Sequence, residues 1–182
     1  ITATYLITWA VQVGPRYGMS SETASFKGAV PMMVMSTFTL VAFPVFGILL
    51  DRWGRVPTII LTLFLGGMGF LIMAGAPSPF LSSATLIGVT LVGCSVCGAV
   101  VGSSALAADA SPPELMGSTL GGLNTMAQVG LIFFLAIGGV LFDKVGPGGV
   151  FVVKGMANIV VGLYIFAVRK KIRINHEGSP AV

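Results

Sequence analysis

The sequence predicts an all-α, polytopic membrane protein with six transmembrane helices. Of its 182 residues, 55% are hydrophobic and only 9% are charged, whereas an ordinary soluble domain has roughly 25% charged residues. The six acidic and ten basic residues avoid the long apolar runs, each of which has about the 20 residues needed to cross a bilayer. These runs are too continuous for barrel strands, and backbone groups in lipid must pair within their own segment, so helices follow.

Breaks between the apolar runs predict the first three helices. The first run ends at Gly14-Pro15 and lacks the basic region and cleavage site of a signal peptide, so we interpret it as the tail of a truncated helix in a fragment. The second helix accepts Pro31 and Pro44 as kinks that neighbouring helices accommodate. Pro57 suits the first turn of the third helix. The predicted ranges are 1–13, 21–50 and 57–76.

The last three helices are separated by similar signals. Ser111-Pro112-Pro113-Glu114 predicts a capping box that opens the fifth helix, with the serine as the cap and the glutamate three residues later. Residues 1–168 are therefore expected to form one six-helix unit, followed by a basic cytoplasmic tail at 169–182. The predicted ranges are about 82–108, 111–142 and 149–168.

Basic residues predict the orientation, because cytoplasmic connections carry an excess of lysine and arginine. The protein is expected to be a multi-pass protein of a plasma or bacterial inner membrane with a cytoplasmic C-terminus. Lys154, about a turn into the sixth helix, is expected to snorkel outward as an interface anchor. The predicted cytoplasmic side carries Arg52, Arg55, Arg169, Lys170, Lys171 and Arg173, against Arg16, Lys27 and Lys144 on the other side.

A charged turn, GILLDRWGR at residues 47–55, joins helices two and three. Gly54 permits a tight turn, and Asp51 and Arg55 are four residues apart, so their charges can pair if the turn stays helical. An exposed pair of this kind is worth only roughly 0.3–0.5 kcal/mol, which suits a latch that opens repeatedly. Alternatively, Arg52 and Arg55 only fix topology, but this leaves the aspartate and the glycine spacing unexplained.

This turn resembles the signature loop of the major facilitator superfamily, G-x-L-x-D-R-x-G-R, at Gly47, Leu49, Asp51, Arg52, Gly54 and Arg55. The sequence departs from the pattern at Leu50, where a small residue is usual. The resemblance implies one half of a twelve-helix transporter. We favour the C-terminal half, because the chain stops after a basic stretch and helix five lacks the glycine-proline motif of exporters' first halves. The missing N-terminal six-helix half is then an expected partner.

A second copy of the pattern follows helix five, 92 residues after the first. It matches G-x-L-x-D-(R/K)-x-G and falls on the opposite face of the membrane. This layout predicts two inverted three-helix repeats, which are the units of the superfamily's halves. The matching residues are Gly139, Leu141, Asp143, Lys144 and Gly146.

Polar side chains facing the bundle interior are the candidates for a solute cavity, because the resemblance places the solute near the midplane between the halves. Helical spacing puts three of them on one face of helix one and pairs two amides on helix five. For each residue, a hydrogen bond between helices is an equal alternative. The candidates are Tyr5, Trp9, Gln12, Ser95, Ser103, Ser104, Asn124 and Gln128.

The sequence predicts no enzymatic activity, no metal site, no cofactor and no nucleic-acid partner. Cys94 and Cys97 form a C-x-x-C pattern, but His176 lies far away in the tail, so a zinc or redox site lacks ligands and context. We interpret the two cysteines as small core residues.

Two functions stay open. The first is secondary active or facilitative transport of a small organic solute by alternating access, with the 47–55 loop as a cytoplasmic gating latch. If transport is coupled to a proton or another ion, the missing half must supply the buried acid, because every acid in the predicted spans lies near an interface. The alternative is a non-transporting membrane scaffold or receptor that retains the transporter fold.

Overall fold

The computed structural model describes residues 2–174 and confirms the all-α fold. By length and composition, five of the described helices can cross a membrane, whereas the first has 12 described residues. The last helix extends into the first residues of the predicted tail, and residues 175–182 lie outside the described range. The helices are α1 (Thr2–Val13), α2 (Ser21–Trp53), α3 (Arg55–Ala74), α4 (Ser83–Asp109), α5 (Met116–Val145) and α6 (Pro147–Ile174), with 3-10 turns at Gly14–Tyr17 and Pro113–Leu115.

Single glycines separate α2 from α3 and α5 from α6. Gly54 has φ 90° and ψ 165°, and Gly146 has φ 94° and ψ 178°. A positive φ of this kind strains residues that carry a Cβ atom, so glycine is required at both turns. The repeat seen in the sequence thus has a matching backbone conformation in both copies. Because each turn needs only one glycine, α3 and α6 begin two residues earlier than predicted.

The predicted capping box at the start of α5 is wrong. Pro112 has an extended backbone, with φ −57° and ψ 147°, because a residue that precedes a proline avoids the helical region. The chain therefore passes through a 3-10 turn before α5 begins at Met116. The hydroxyl of Ser111 instead donates a hydrogen bond of 2.6 Å to the carbonyl of Ala107, at the end of α4.

The helix α3 lies between α4 and α6 and packs along both. A Cβ atom at Gly67 would lie 3.1 Å from the carbonyl oxygen of Gly155, and one at Gly155 would lie 3.0 Å from that of Gly67. Helix association in a bilayer depends on such close contact, because lipid tails are as apolar as the side chains. These two glycines therefore hold α3 and α6 together as a tight pair.

The helices α2 and α5 keep large apolar faces exposed in the described part of the chain. Phe26 and Leu40 are exposed on α2, and Ile132 and Phe133 are exposed on α5. These faces are available to lipid or to a further set of helices.

Candidate gate and solute site

The charged turn places Arg55 between two carboxylates. Its guanidinium lies 3.4 Å from Asp51 at the end of α2, so the pair expected from the sequence forms. It also contacts both carboxylate oxygens of Asp109, at 2.7 and 3.4 Å. A guanidinium that contacts both oxygens of a carboxylate binds more strongly and more directionally than through one contact. Arg55 therefore connects the ends of α2, α3 and α4.

Asp109 is the part of this cluster that sequence reasoning missed. Its side chain is 32% exposed, against 81% for Asp51, so water screens the pair with Asp109 less. Asp109 is the last residue of α4, and when the predicted spans alternate in direction, the end of the fourth helix falls on the same side as the charged turn after the second. The sequence could therefore indicate that the two helix ends share a side of the membrane. No sequence spacing, however, links Arg55 to a residue 54 positions away.

Thr58, in α3, forms hydrogen bonds with the backbone of the same turn. Its hydroxyl lies 2.9 Å from the carbonyl oxygen of Gly54 and 3.3 Å from that of Leu49, and the residue is fully buried. Gly47 is open, since no described atom outside its own helical turn would lie within 4 Å of a Cβ at this position. Arg52 is exposed, and no carboxylate in residues 2–174 lies within 4 Å of its guanidinium.

The second copy keeps the glycine turn, but no ion pair is formed there within residues 2–174. Asp143 and Lys144 are exposed at the end of α5. The position that corresponds to Arg55 holds Pro147, so the second turn has no guanidinium at that position to bridge neighbouring helices. At Gly139, as at Gly47, no described atom outside its own helical turn would lie within 4 Å of a Cβ.

Two of the cavity candidates on α1 are engaged in packing. Tyr5 is buried, stacks on Phe142 with ring centroids 5.8 Å apart, and donates a hydrogen bond of 2.8 Å to the carbonyl of Leu135. Trp9 is buried against Phe151, with centroids 6.1 Å apart. Gln12 is exposed. Tyr5 and Trp9 therefore contribute to packing between helices, whereas Gln12 is exposed.

The remaining candidates lie on α4 and α5. Ser95 is buried and Ser103 is half-buried, and their hydroxyls donate to carbonyls of their own helix at 2.9 and 3.2 Å. Asn124 and Gln128 are exposed on α5. A groove of about 470 Å³ between α1 and α2 contains none of the candidates. Its lining residues are Ile7, Ala29, Met32, Met33, Ser36 and Thr37.

Lys154 was expected to snorkel outward, and the structure contradicts this. Its ammonium lies 4.5 Å from the centroid of the Phe70 ring and 3.4 Å from the hydroxyl of Thr2. Thr2 lies at the end of α1 opposite the Gly14–Tyr17 turn, so the ammonium points into the bundle. The aromatic face and the hydroxyl offer the cation internal contacts.

Replacing Tyr5 with phenylalanine is expected to loosen the contact between α1 and α5. The change removes the hydrogen bond to Leu135 while keeping the stacked ring, and we expect a loss of about 0.5–1.5 kcal/mol of stability. The thermal midpoint of the purified protein in detergent measures this. The matched change Tyr17→Phe, at an exposed ring, should leave the midpoint unchanged. An equal effect of both changes would contradict the role of the hydrogen bond.

The apolar helices, the repeated glycine turns and the charged cluster define a multi-pass membrane protein of the transporter class. The chain belongs to the Major Facilitator Superfamily, whose family model matches residues 1–181.

Several curated proteins are similar to this chain over most of its length. Magnetosome protein MamH of Paramagnetospirillum magneticum is 26% identical over 167 residues, which cover 92% of this chain and 38% of MamH. The multi-drug resistance efflux pump PmrA of Streptococcus pneumoniae is 29% identical over 143 residues, covering 76% of this chain and 34% of PmrA. The MFS-type transporter ppzB of Metarhizium majus is 33% identical over 123 residues, which cover 66% of this chain and 27% of ppzB. The chain thus spans less than two-fifths of these relatives, and no solved structure matches it.

Proposed function

We propose that this chain is the C-terminal half of a transporter that moves a small organic solute by alternating access, with the 47–55 loop as a cytoplasmic gating latch. The observation that carries the proposal is the Arg55 bridge between Asp51 and Asp109, which ties three helix ends through exposed groups. Exposed ion pairs are worth on the order of 0.2–1 kcal/mol each. Such a bridge stabilises one conformation of the transporter and can still break at a low cost in free energy.

The longer relatives and the exposed helix faces support a missing partner half. Each of the relatives extends well beyond the matched region, and the apolar faces of α2 and α5 are uncovered. The solute then lies between the two halves. Tyr5, Gln12, Asn124 and Gln128 are candidates to contact it, directly or after α5 moves.

The orientation follows from the basic residues near the latch. Arg52 and Arg55 at this turn, with the basic stretch that starts at Arg169, put these connections in the cytoplasm by the positive-inside rule. Among the described residues no ion pair bridges the turn at Gly146, so we expect the latch to act on one side of the membrane.

Counterflow in proteoliposomes tests transport by the full-length protein. Three labelled probes cover the main solute classes: benzoate as an anion, choline as a cation and glucose as a neutral solute. We expect the protein to exchange at least one of them above the rate of empty vesicles. Exchange of none of the three would contradict transport and favour a scaffold or receptor with the same fold.

Substitution of the two aspartates tests the latch. Asp109→Asn is expected to slow the exchange of the transported probe more than Asp51→Asn, because Arg55 contacts Asp109 through two atoms and at the shorter distance. We expect a several-fold loss for Asp109→Asn and about two-fold for Asp51→Asn. Glu22→Gln, on the opposite side, is the control and should exchange normally. Unchanged exchange by Asp109→Asn, at equal insertion, would refute the latch.

A further inference from the structure

The groove of about 470 Å³ between α1 and α2 is large enough for part of an organic molecule, since small-molecule sites have volumes of roughly 300–1,000 Å³. The two helices touch beside it, where a Cβ atom at Gly28 would lie 2.5 Å from the Cβ atom of Ala10. Phe26 and Leu40, which are exposed on α2, lie seven residues before and after Met33 of the lining. Seven residues are two helical turns, so the groove lies on that same exposed face of α2.

The lining of the groove is mainly apolar. Ile7 contributes the α1 wall, and Ala29, Met32 and Met33 contribute most of the α2 wall. A methionine side chain is unbranched, flexible and polarisable, so it adjusts to ligands of different shape. Met33 is 64% exposed, so this apolar surface is open to a ligand.

Ser36 and Thr37 add two hydroxyl groups to the lining. The Thr37 hydroxyl donates a hydrogen bond of 2.9 Å to the carbonyl of Met33, and its oxygen can still accept one. Ser36 is exposed, and within residues 2–174 its hydroxyl has no hydrogen-bond partner. The groove therefore offers uncharged hydrogen-bonding groups beside its apolar surface.

None of the described residues that line the groove is charged, and α1 carries no charge between Thr2 and Val13. Lys27 lies two residues before Ala29 on α2, so at about 3.6 residues per turn its side chain projects from the opposite side of the helix. Glu22 lies seven residues before Ala29, about 10 Å away along the helix axis. A charge that is buried without a counter-charge is costly, so the groove favours an uncharged group.

We propose that the groove between α1 and α2 binds the uncharged apolar group of an organic solute, with the hydroxyls of Ser36 and Thr37 as its hydrogen-bonding partners. This inference deepens the proposed transport function by naming the class of solute, and it rests on that function for the passage of the solute, not for its binding. The exposed face of α2 is one of the two faces expected to meet the missing half. The groove thus lies where the proposed transporter holds its solute.

Labelling of a single cysteine tests whether the groove is open. The full-length protein in proteoliposomes carries Met33→Cys as its only cysteine and is treated with a water-soluble maleimide. We expect it to react, as should the control Ser21→Cys, an exposed position at the start of α2. A lipid chain or a helix of the missing half that filled the groove would block Met33→Cys alone, and that result would overturn the proposal.

Three aryl glucosides that differ only at the end of the ring test the class of solute. Tolyl glucoside ends in a methyl group, carboxyphenyl glucoside in a carboxylate and aminomethylphenyl glucoside in an ammonium. We expect tolyl glucoside to slow the labelling of Met33→Cys at concentrations at least ten-fold lower than either ion, and to leave Ser21→Cys unaffected. Methyl glucoside, which lacks the ring, should give no protection. Equal protection by an ion, or protection by none of the three, would overturn the proposal.

Substitutions that fill the groove assign the protection to this site. Ser36→Trp is expected to abolish protection by tolyl glucoside, measured as the ratio of labelling rates with and without the probe. Val45→Trp, at an exposed position of α2 outside the groove, is the control and should keep the protection. Ala29→Leu, which adds a smaller side chain, should weaken protection several-fold and replaces Ser36→Trp if that variant fails to insert. Undiminished protection in a filled variant would overturn the proposal.

Counterflow separates a failure of this site from a failure of transport. The uncharged lining predicts that glucose is exchanged in preference to benzoate and choline. Exchange of benzoate or choline, with no protection by tolyl glucoside, would refute the groove site and leave transport intact. Protection by tolyl glucoside, with no exchange of it or of the other probes, would support the site and contradict transport.

Discussion

The Arg55→Ala variant is expected to lose much of the latched state. Arg55 makes the two ion pairs that the described residues form at the turn, so the change removes contacts worth together on the order of 0.4–2 kcal/mol. A difference of about 1.4 kcal/mol changes an equilibrium roughly ten-fold. We therefore expect the latched population to fall roughly two- to thirty-fold and the exchange rate to fall with it.

Distances between spin labels measure this population without knowledge of the solute. Labels at Trp53 and Ala110, which are exposed at the ends of α2 and α4, report on the separation that Arg55 spans. The protein used for labelling also carries the substitutions Cys94→Ala and Cys97→Ala. Arg16→Ala, an exposed arginine on the opposite side, is the control. An unchanged distance distribution in the Arg55→Ala variant would show that the ion pairs do not hold the helix ends together.

The Gly98→Val variant is expected to lose more stability than any other change considered. Gly98 is buried in α4, and a Cβ atom there would overlap the methyl group of Thr62 and lie 2.8 Å from the ring of Phe46. Three helices meet at this point, so the backbones must move apart. Overpacking of this kind costs about 1–3 kcal/mol, and valine, with two further methyl groups, should reach the upper end of that range.

The thermal midpoint and the yield of inserted protein measure this loss. Gly75→Val is the matched control, because the nearest atom to a Cβ there is the carbonyl oxygen of Ile72 at 3.8 Å. We expect the control to keep the midpoint and the yield. A Gly98→Val variant as stable as the Gly75→Val variant would contradict the close approach of α2, α3 and α4.

Several features of the fold were accessible from the sequence because they depend on local chemistry. The apolar runs gave the helices, and the recurring G-x-L-x-D pattern predicted the repeat that Gly54 and Gly146 display in their backbone conformation. The capping box at Ser111 failed because two successive prolines override the preference of a serine for a helix start.

The candidate site was less accessible, since its contacts join distant segments. The pair of Asp51 and Arg55 was predictable from a spacing of four, whereas Asp109 lies 54 residues from Arg55. Tyr5 and Trp9 were predicted on one face of α1, but which helices that face meets depends on packing. Their contact with solute, like that of Asn124 and Gln128, stays a prediction.

Sequence by itself determined that this protein crosses a membrane through apolar helices and turns at a charged glycine loop, because hydrophobicity, helical spacing and the steric freedom of glycine are local properties. Tertiary structure alone decided that Arg55 bridges to Asp109 and that Lys154 points into the bundle beside Phe70 and Thr2. The energy of a charge depends on the groups that surround it in space, and those groups come from helices far apart in the chain.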